Sequence, residues 1–411
     1  MSYLDLTSGR GTAPLGHANR HILSAGANQM LPYQYAEAEF PLHPLRAFLA
    51  KELSNVTFNQ WWYRYKSLDG GGIGPDWFQA GKAVFFDSEV EAMHACIEIA
   101  LRAAGRHGLA TFQGAGHVAE CRKQAASEFS QPRFGKASKF RPSLYELPFP
   151  ETERDLKKVE RKLRSLFRGN RIGAVVTEPI QVRAGVKIPP PEFLGLLRKL
   201  TEENEAVLIF DERLTAFGRT GWTFACERDV SLPDIVCLGK SLASGFPLTA
   251  CIVRSPIMDK AVAGSGGDFQ FNTDGGHPLG CAMALRQLEE LTRNGHMHQP
   301  AIQLGHFLLK RLQTIQAPPG YSVLVRGRGL LAAVEIMHID GAPAADLTIS
   351  VLKIMLQRGY LLMRGGEHHN VIIFAPPLTI TKRHLGAAVA ELKRVIAEAS
   401  DREIAPRPQH E

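Results

Sequence analysis

The stretch from Ala206 to Val253 reads AVLIFDERLTAFGRTGWTFACERDVSLPDIVCLGKSLASGFPLTACIV. AVLIF is a continuous apolar run that ends on two acids, Asp211 and Glu212. DIVCLG is a second such run, and it ends on a lone Lys240 followed by small residues. Apolar runs of this length between polar turn residues suit strands buried on both faces. In open α/β sheets the ligand crevice lies beyond the carboxyl ends of such strands. An acid and a lysine are therefore expected to meet at one crevice.

That pair has a specific chemical use. Pyridoxal phosphate needs a lysine to hold it as a Schiff base and a carboxylate at its ring nitrogen, so that the ring can draw electrons. A lysine at the mouth of an apolar strand is also suited to moving protons. Acids and lysines at strand ends are common in α/β enzymes, so the pair alone does not decide the matter.

The surrounding motifs do more. FDERLTAFGRTG, then PDIVCLGKSLASGFPL, resembles the class III aminotransferase signature FDEVQTGFGRTG…PDI…GKxLGGGxPL. LDLTSGRGTAPLGHANRHI near the start is similar to that family's N-terminal segment. EPIQVRAG at Glu178 to Gly185 resembles EPIQGEGG, and NTDGGHPLGCAMAL from Asn272 resembles STxGGNPLACAAAL. VRGRGLLAAVEI and FAPPLTIT fall where the family has its C-terminal landmarks. The resemblance covers nearly the whole chain. It implies an α/β fold, fold type I of the pyridoxal phosphate enzymes, with a mostly parallel central sheet and a small α+β domain. The expected division is a large domain over 36–294 and a small one from 1–35 with 295–411.

The resemblance also implies roles. Lys240 matches the Schiff-base lysine and proton shuttle, and Asp211 the partner of the pyridine nitrogen. Thr273 matches a threonine that reaches the cofactor phosphate of the neighbouring subunit, which implies a homodimer. Glu178 matches an acid near the substrate end of the site.

Departures from the family pattern cluster around the same pocket. The phosphate cup, usually NSGTEA, reads DSEVEA, so Glu89 and Val90 follow Ser88 in place of Gly-Thr. A helix start is a natural anion site. Glu89 removes glycine's access and adds a negative charge, and its own carboxylate is a candidate occupant. Where the family reads YHG, this chain reads Gly116, His117 and Val118, without the aromatic that stacks on the ring. Arg213 replaces a valine on the other face, and Leu214 replaces a glutamine. Arginine can stack on a ring or pair with a phosphate or carboxylate. Arg213 therefore either compensates for the altered cup or blocks the pocket. Ile373 stands where the family often has an arginine that clamps an α-carboxylate. Arg364, His368 and His369 offer either an alternative polar rim or an exposed loop.

Composition agrees with a globular enzyme. The chain has 411 residues, 45% apolar and 22% charged. No uncharged apolar run reaches the roughly 18 residues of a membrane span. The start carries no secretory pattern, so a cytoplasmic setting is expected. The six cysteines lack CxxC spacing, which argues against structural zinc and disulfides and for buried thiols in a reducing compartment. The net charge of +7 is modest. The densest basic stretch, Glu151 to Arg168, mixes both signs with apolar residues at helical spacing, so an amphipathic helix is expected rather than a nucleic-acid surface. His368 and His369 have no acid or cysteine at ligand spacing, and no metal site is expected.

Further along, KAVFF, LATFQ, RIGAVVTEPI and AVLIF read as strands, and the segments from Ser88, Pro190, Gln299, Asp346 and Lys382 as helices. Ser88 and Glu91 have capping-box spacing. Gln124 to Pro150 reads as a polar surface excursion. Trp61, Trp62, Tyr63, Tyr65 and Trp77 flank glycines 70–72 and 74, which suits either a loop over the substrate or a turn at a dimer contact. The tail from Asp401, DREIAPRPQHE, is expected to fray.

Three functions follow. The first is an aminotransferase for an amine or carbonyl compound without a conventional α-carboxylate, such as an amino-sugar, polyamine or secondary-metabolite intermediate. The second is another class III reaction, such as an epimerase, decarboxylase or lyase. The third is a non-catalytic aminotransferase-like subunit.

Overall fold

The structure, a computed structural model, describes residues 2–32, 44–61, 80–126, 142–263, 275–292 and 298–404. Thirteen strands are present among them: β1 (Leu4–Asp5), β2 (Gly81–Phe86), β3 (Gly108–Phe112), β4 (Ser143–Leu147), β5 (Ile172–Thr177), β6 (Val207–Asp211), β7 (Ile235–Leu238), β8 (Thr249–Arg254), β9 (Tyr321–Arg328), β10 (Leu331–His338), β11 (Tyr360–Leu361), β12 (Met363–Gly365) and β13 (Val371–Phe374). The central sheet has the order β2-β8-β7-β6-β5-β3-β4. Its pairs are parallel from β7 to β4, while β8 runs antiparallel to both its neighbours. This is the mostly parallel α/β sheet expected from the sequence.

The core explains why those runs form strands. Along β6, Leu208 and Phe210 join one buried cluster, and Val207 and Ile209 join another. Along β5, Val175 faces the first cluster and Ala174 and Val176 the second. Successive side chains point to opposite faces, so a strand covered on both sides has to be apolar throughout. Helices Glu153–Arg168 and Phe193–Glu203 bury Val159, Leu163, Phe193 and Leu197 in the first cluster. Helix Glu89–Ala104 contributes Met93, Cys96, Ile97 and Ala100 to the second.

A four-stranded antiparallel sheet, β12-β13-β10-β9, packs with helices His298–Leu312, Ala345–Gln357 and Lys382–Ile404. Near the start of the chain, β1 pairs in parallel with β11, with Leu4 opposite Tyr360. Arg219 links these parts. It is buried and donates to the carbonyls of Leu330 and Pro376 and to Ser8 Oγ at 3.1 Å.

Four expectations need correction. Ser143–Leu147 is a strand paired with β3, although it falls within the stretch read as a surface excursion. It is an edge strand whose residues are mostly half-exposed, so it lacks a clear apolar run. Trp61 is core, not part of an exposed loop: it is 1% exposed and its Nε1 donates to Glu227 Oε1 at 2.9 Å. Ser88 takes the N-cap position with φ −122° and ψ 135°, yet its side chain makes no cap bond. Its carbonyl is held instead by Thr249 Oγ1 at 3.1 Å. The last helix continues to Ile404, so the first residues of the tail expected to fray, Asp401 to Ile404, are helical. The glycine run, the aromatics from Trp62 to Trp77, Thr273 and residues 405–411 lie outside the described residues.

Candidate active site

The carboxyl ends of the parallel strands converge on one point, where open α/β sheets carry their ligands. Asp211 closes β6 and lies opposite Cys237 on β7. Lys240 follows β7 by two residues and has φ 23°. A positive φ is uncommon for a side-chain-bearing residue, and such backbone is concentrated at functional sites. Glu178 follows β5, and His117 follows β3 after a short turn. Glu89 opens the helix that follows β2. Gly11, with φ 91°, brings the N-terminal segment against this point. A Cβ there would lie 2.8 Å from Leu214 Cδ2 and 3.7 Å from Lys240 Cδ, so only glycine fits.

Asp211 is fully partnered. Arg213 Nε donates to Oδ1 and its second terminal nitrogen to Oδ2, both at 2.8 Å. The Arg213 backbone N–H adds a bond to Oδ1 at 3.2 Å. His117 Nδ1 sits 3.0 Å from Oδ2, and its Nε2 is 3.0 Å from Thr111 Oγ1. An ionised carboxylate only accepts, so the proton on this side of the ring is on Nδ1. Burial alone would raise the Asp211 pKa. The Arg213 charge and hydrogen bonds, with the His117 bond, outweigh burial and hold it well below the usual carboxylate range.

Lys240 is also engaged. Its Nζ lies 3.2 Å from Glu89 Oε1, and its backbone N–H donates to the same oxygen at 3.3 Å. Arg213 extends the network with a terminal nitrogen 3.2 Å from the Glu89 carbonyl, 3.3 Å from Glu120 and 3.8 Å from the Glu89 carboxylate. Glu89 thus turns toward the lysine.

Glu178 differs. It is buried, lines the cleft, and its Oε2 has no partner among the described residues. Burial, then the Asp211 charge, push its pKa well above the carboxylate range, against the pull of Arg213 and the Gly116 N–H. Its surroundings therefore favour the protonated form. Next to it is Arg183, exposed and lining the cleft. A Cβ on Gly116 would lie 3.3 Å from Glu178 Oε1 and 3.4 Å from Arg183 Cδ. The Arg183 stem therefore borders the space that a residue larger than Gly116 would claim.

Of the sequence candidates, the structure brings together Lys240, Asp211, Glu89, Arg213, His117 and Glu178. Ser88 and Val90 lie at the same helix start without lining the cleft, and Val90 is 41% exposed. Arg364, His368 and His369 are exposed. Ile373 is buried in an apolar seam with Val182, Val186 and Leu331. Two contributors were not singled out from the sequence. Arg183 stands at the second acid of the EPIQGEGG pattern, which was the available signal. Glu120, on a polar helix, carried none.

A family model described as aminotransferase class-III matches residues 1–396. The chain belongs to the class III aminotransferases. A putrescine aminotransferase of Pectobacterium atrosepticum is 30% identical over 398 residues, covering 96% of this chain and 78% of that one. A 4-aminobutyrate aminotransferase of Mycobacterium leprae is 29% identical, covering 96% and 87%. Among solved structures, an amine transaminase from an uncultivated Pseudomonas species, in its PLP-bound form, superposes with a TM-score of 0.79 at 23% identity, over 97% of this chain and 91% of that chain. A transaminase from the marine bacterium Virgibacillus gives 0.79 at 21%, over 98% and 90%. These structures share the fold with this class III aminotransferase.

Class III aminotransferases use pyridoxal 5′-phosphate (PLP). Lys240, Asp211 and the open oxygen of Glu178 suit that group. As arranged in this structure, the cleft is closed to it. Both Asp211 oxygens are taken, Glu89 lies on Lys240, and the free volume is about 10 Å³, room for about one water. Small-molecule sites usually offer about 300 Å³ or more.

Among the described residues, no helix is long and apolar enough to cross a membrane.

Proposed function

We propose that the protein is an aminotransferase for an amine or carbonyl compound whose reacting end carries no α-carboxylate, such as an amino-sugar, polyamine or secondary-metabolite intermediate. One observation carries this reading. Ile373, at the position of the α-carboxylate clamp in the family pattern, is 2% exposed and packed against the Gln181–Val186 segment. No guanidinium can reach the cleft from that point, and an apolar seam gives a carboxylate no partner. Both curated relatives described above carry names of substrates with an amine remote from any α-carboxylate, putrescine and 4-aminobutyrate. That agrees with the reading.

In this proposal Lys240 would be the attachment and proton-carrying residue, and Asp211 would face the ring nitrogen, once the ion pairs that now engage both side chains open. Glu178 is an acid at the substrate end. Thr273 and the family pattern support a homodimer in which each subunit completes its neighbour's site. We also propose the division into a large domain, 36–294, and a small one made of 1–35 and 295–411. The pairing of β1 with β11 supports it.

The test is a panel of diamines, ω-amino acids, amino-sugars and α-amino acids, offered with a keto-acid acceptor to the PLP-loaded protein. Transfer from the first three groups and not from α-amino acids is expected. Transfer from α-amino acids alone would overturn the assignment.

A further inference from the structure

The network around Lys240 is built from both sides of the cleft. Glu89 comes from the helix start where the family seats the cofactor phosphate, and its carboxylate contacts the Lys240 ammonium and main-chain N–H. Arg213 comes from the end of β6 and covers both Asp211 oxygens. The stems of the two residues meet over Gly239. A Cβ on that glycine would lie 3.2 Å from Glu89 Cγ and 3.3 Å from Arg213 Cγ. Glycine at this position leaves room for the two stems to approach, and the arrangement is a packed one rather than two stray side chains.

The charges are matched internally. Asp211 balances Arg213, and Glu89 balances Lys240. An incoming phosphate would meet the Glu89 carboxylate, a like charge at short range. An incoming pyridine nitrogen would find its carboxylate already bridged by a guanidinium.

We propose that Glu89 and Arg213 form a built-in stopper that occupies the cofactor cleft of this chain, so that PLP binds only by opening both ion pairs. The cofactor is held weakly and reversibly, and the resting protein is predominantly free of it. This rests on the site assigned above and is independent of which amine is the substrate.

The test is a PLP titration of the full-length protein and of Glu89→Gly, Arg213→Val and the double variant. Two readouts serve: the fraction of chain carrying a borohydride-fixed cofactor by intact mass, and the shift in melting temperature. The double variant is expected to bind at least about tenfold tighter than the wild type, with the single variants between. It is also expected to gain more melting temperature from PLP, because ligand bound only to the native state raises stability in proportion to RT ln(1 + [L]/Kd). Glu89→Gln keeps size and removes charge, so it remains informative if the glycine variant folds poorly; tighter binding than wild type is expected. Stoichiometric wild-type binding as tight as that of the double variant would overturn the proposal, as would weaker binding in Arg213→Val or Glu89→Gln. Failure of the amine panel with normal titrations would count against the proposed function and leave the stopper standing.

Discussion

The Arg213 guanidinium covers both carboxylate oxygens of Asp211, with two parallel bonds of 2.8 Å inside the protein. Each ion depends on the other. Removing one partner of a buried pair leaves an uncompensated charge and costs about 3–5 kcal/mol. Arg213→Val is expected to lose stability of that order in urea unfolding, and Asp211→Asn in the same background should recover much of it. The contribution also has a pH sign. The folded pKa of Asp211 lies below its ordinary 3.8, so its stabilisation is complete above that value and is lost as pH falls toward the folded one.

Glu212, the next residue, behaves in the opposite sense. It accepts from Thr215 Oγ1 and from the backbone N–H groups of Ala225 and Cys226, at 3.1 and 3.0 Å for the last two. Burial outweighs these bonds and raises its pKa from 4.5 to about 7. The protonated form is favoured in the folded state, so its contribution is complete below 4.5 and fades as pH rises through about 7. A shift of this size corresponds to about 3 kcal/mol. Unfolding measured from pH 4.5 to 8 should show that decline in the wild type. It should be largely absent in Glu212→Gln, which cannot ionise.

All six cysteines are buried thiols outside any disulfide. Cys96 Sγ lies 2.9 Å from Cys251 Sγ, and Cys237 is hydrogen-bonded to the same thiol. Burial raises every one of these pKa values that is shifted, with Cys281 pushed up to about 12. Reactivity follows the exposed thiolate. A thiol reagent is therefore expected to label the native chain about a hundredfold more slowly than the denatured one. A fast-labelling thiol in the native protein would contradict the packing.

Arg219 donates to two carbonyls on the C-terminal part and to Ser8 on the N-terminal segment. A lysine cannot span three acceptors with one planar fork. Charged hydrogen bonds contribute about 1.5–3 kcal/mol each. Arg219→Lys should lower the melting temperature and speed proteolysis within the first thirty or so residues, with the central sheet cleaved no faster.

Much of the fold was readable because β5, β6 and β7 are covered on both faces, and continuous apolar runs mark that situation. Strand β4 was not, since an edge strand needs no such run and its residues are only partly buried. The site was legible in position and not in direction. Asp211, Lys240 and Glu178 follow strand ends that the apolar runs locate. Whether Arg213 compensates or blocks depends on where one long side chain turns, and local sequence does not encode that. Glu89 shows the same limit: its residue type suited the anion seat of its own helix, yet its carboxylate reaches across the cleft to Lys240. Arg183 was detectable only as a charge reversal within an otherwise familiar motif.

The parallel pairing of Leu4–Asp5 with Tyr360–Leu361 has a temporal consequence. The segment that sets Gly11 against Lys240 is synthesised well before its strand partner. Until residue 361 has been synthesised, the wall beside the lysine lacks its strand partner, so this side of the cleft cannot be completed before then.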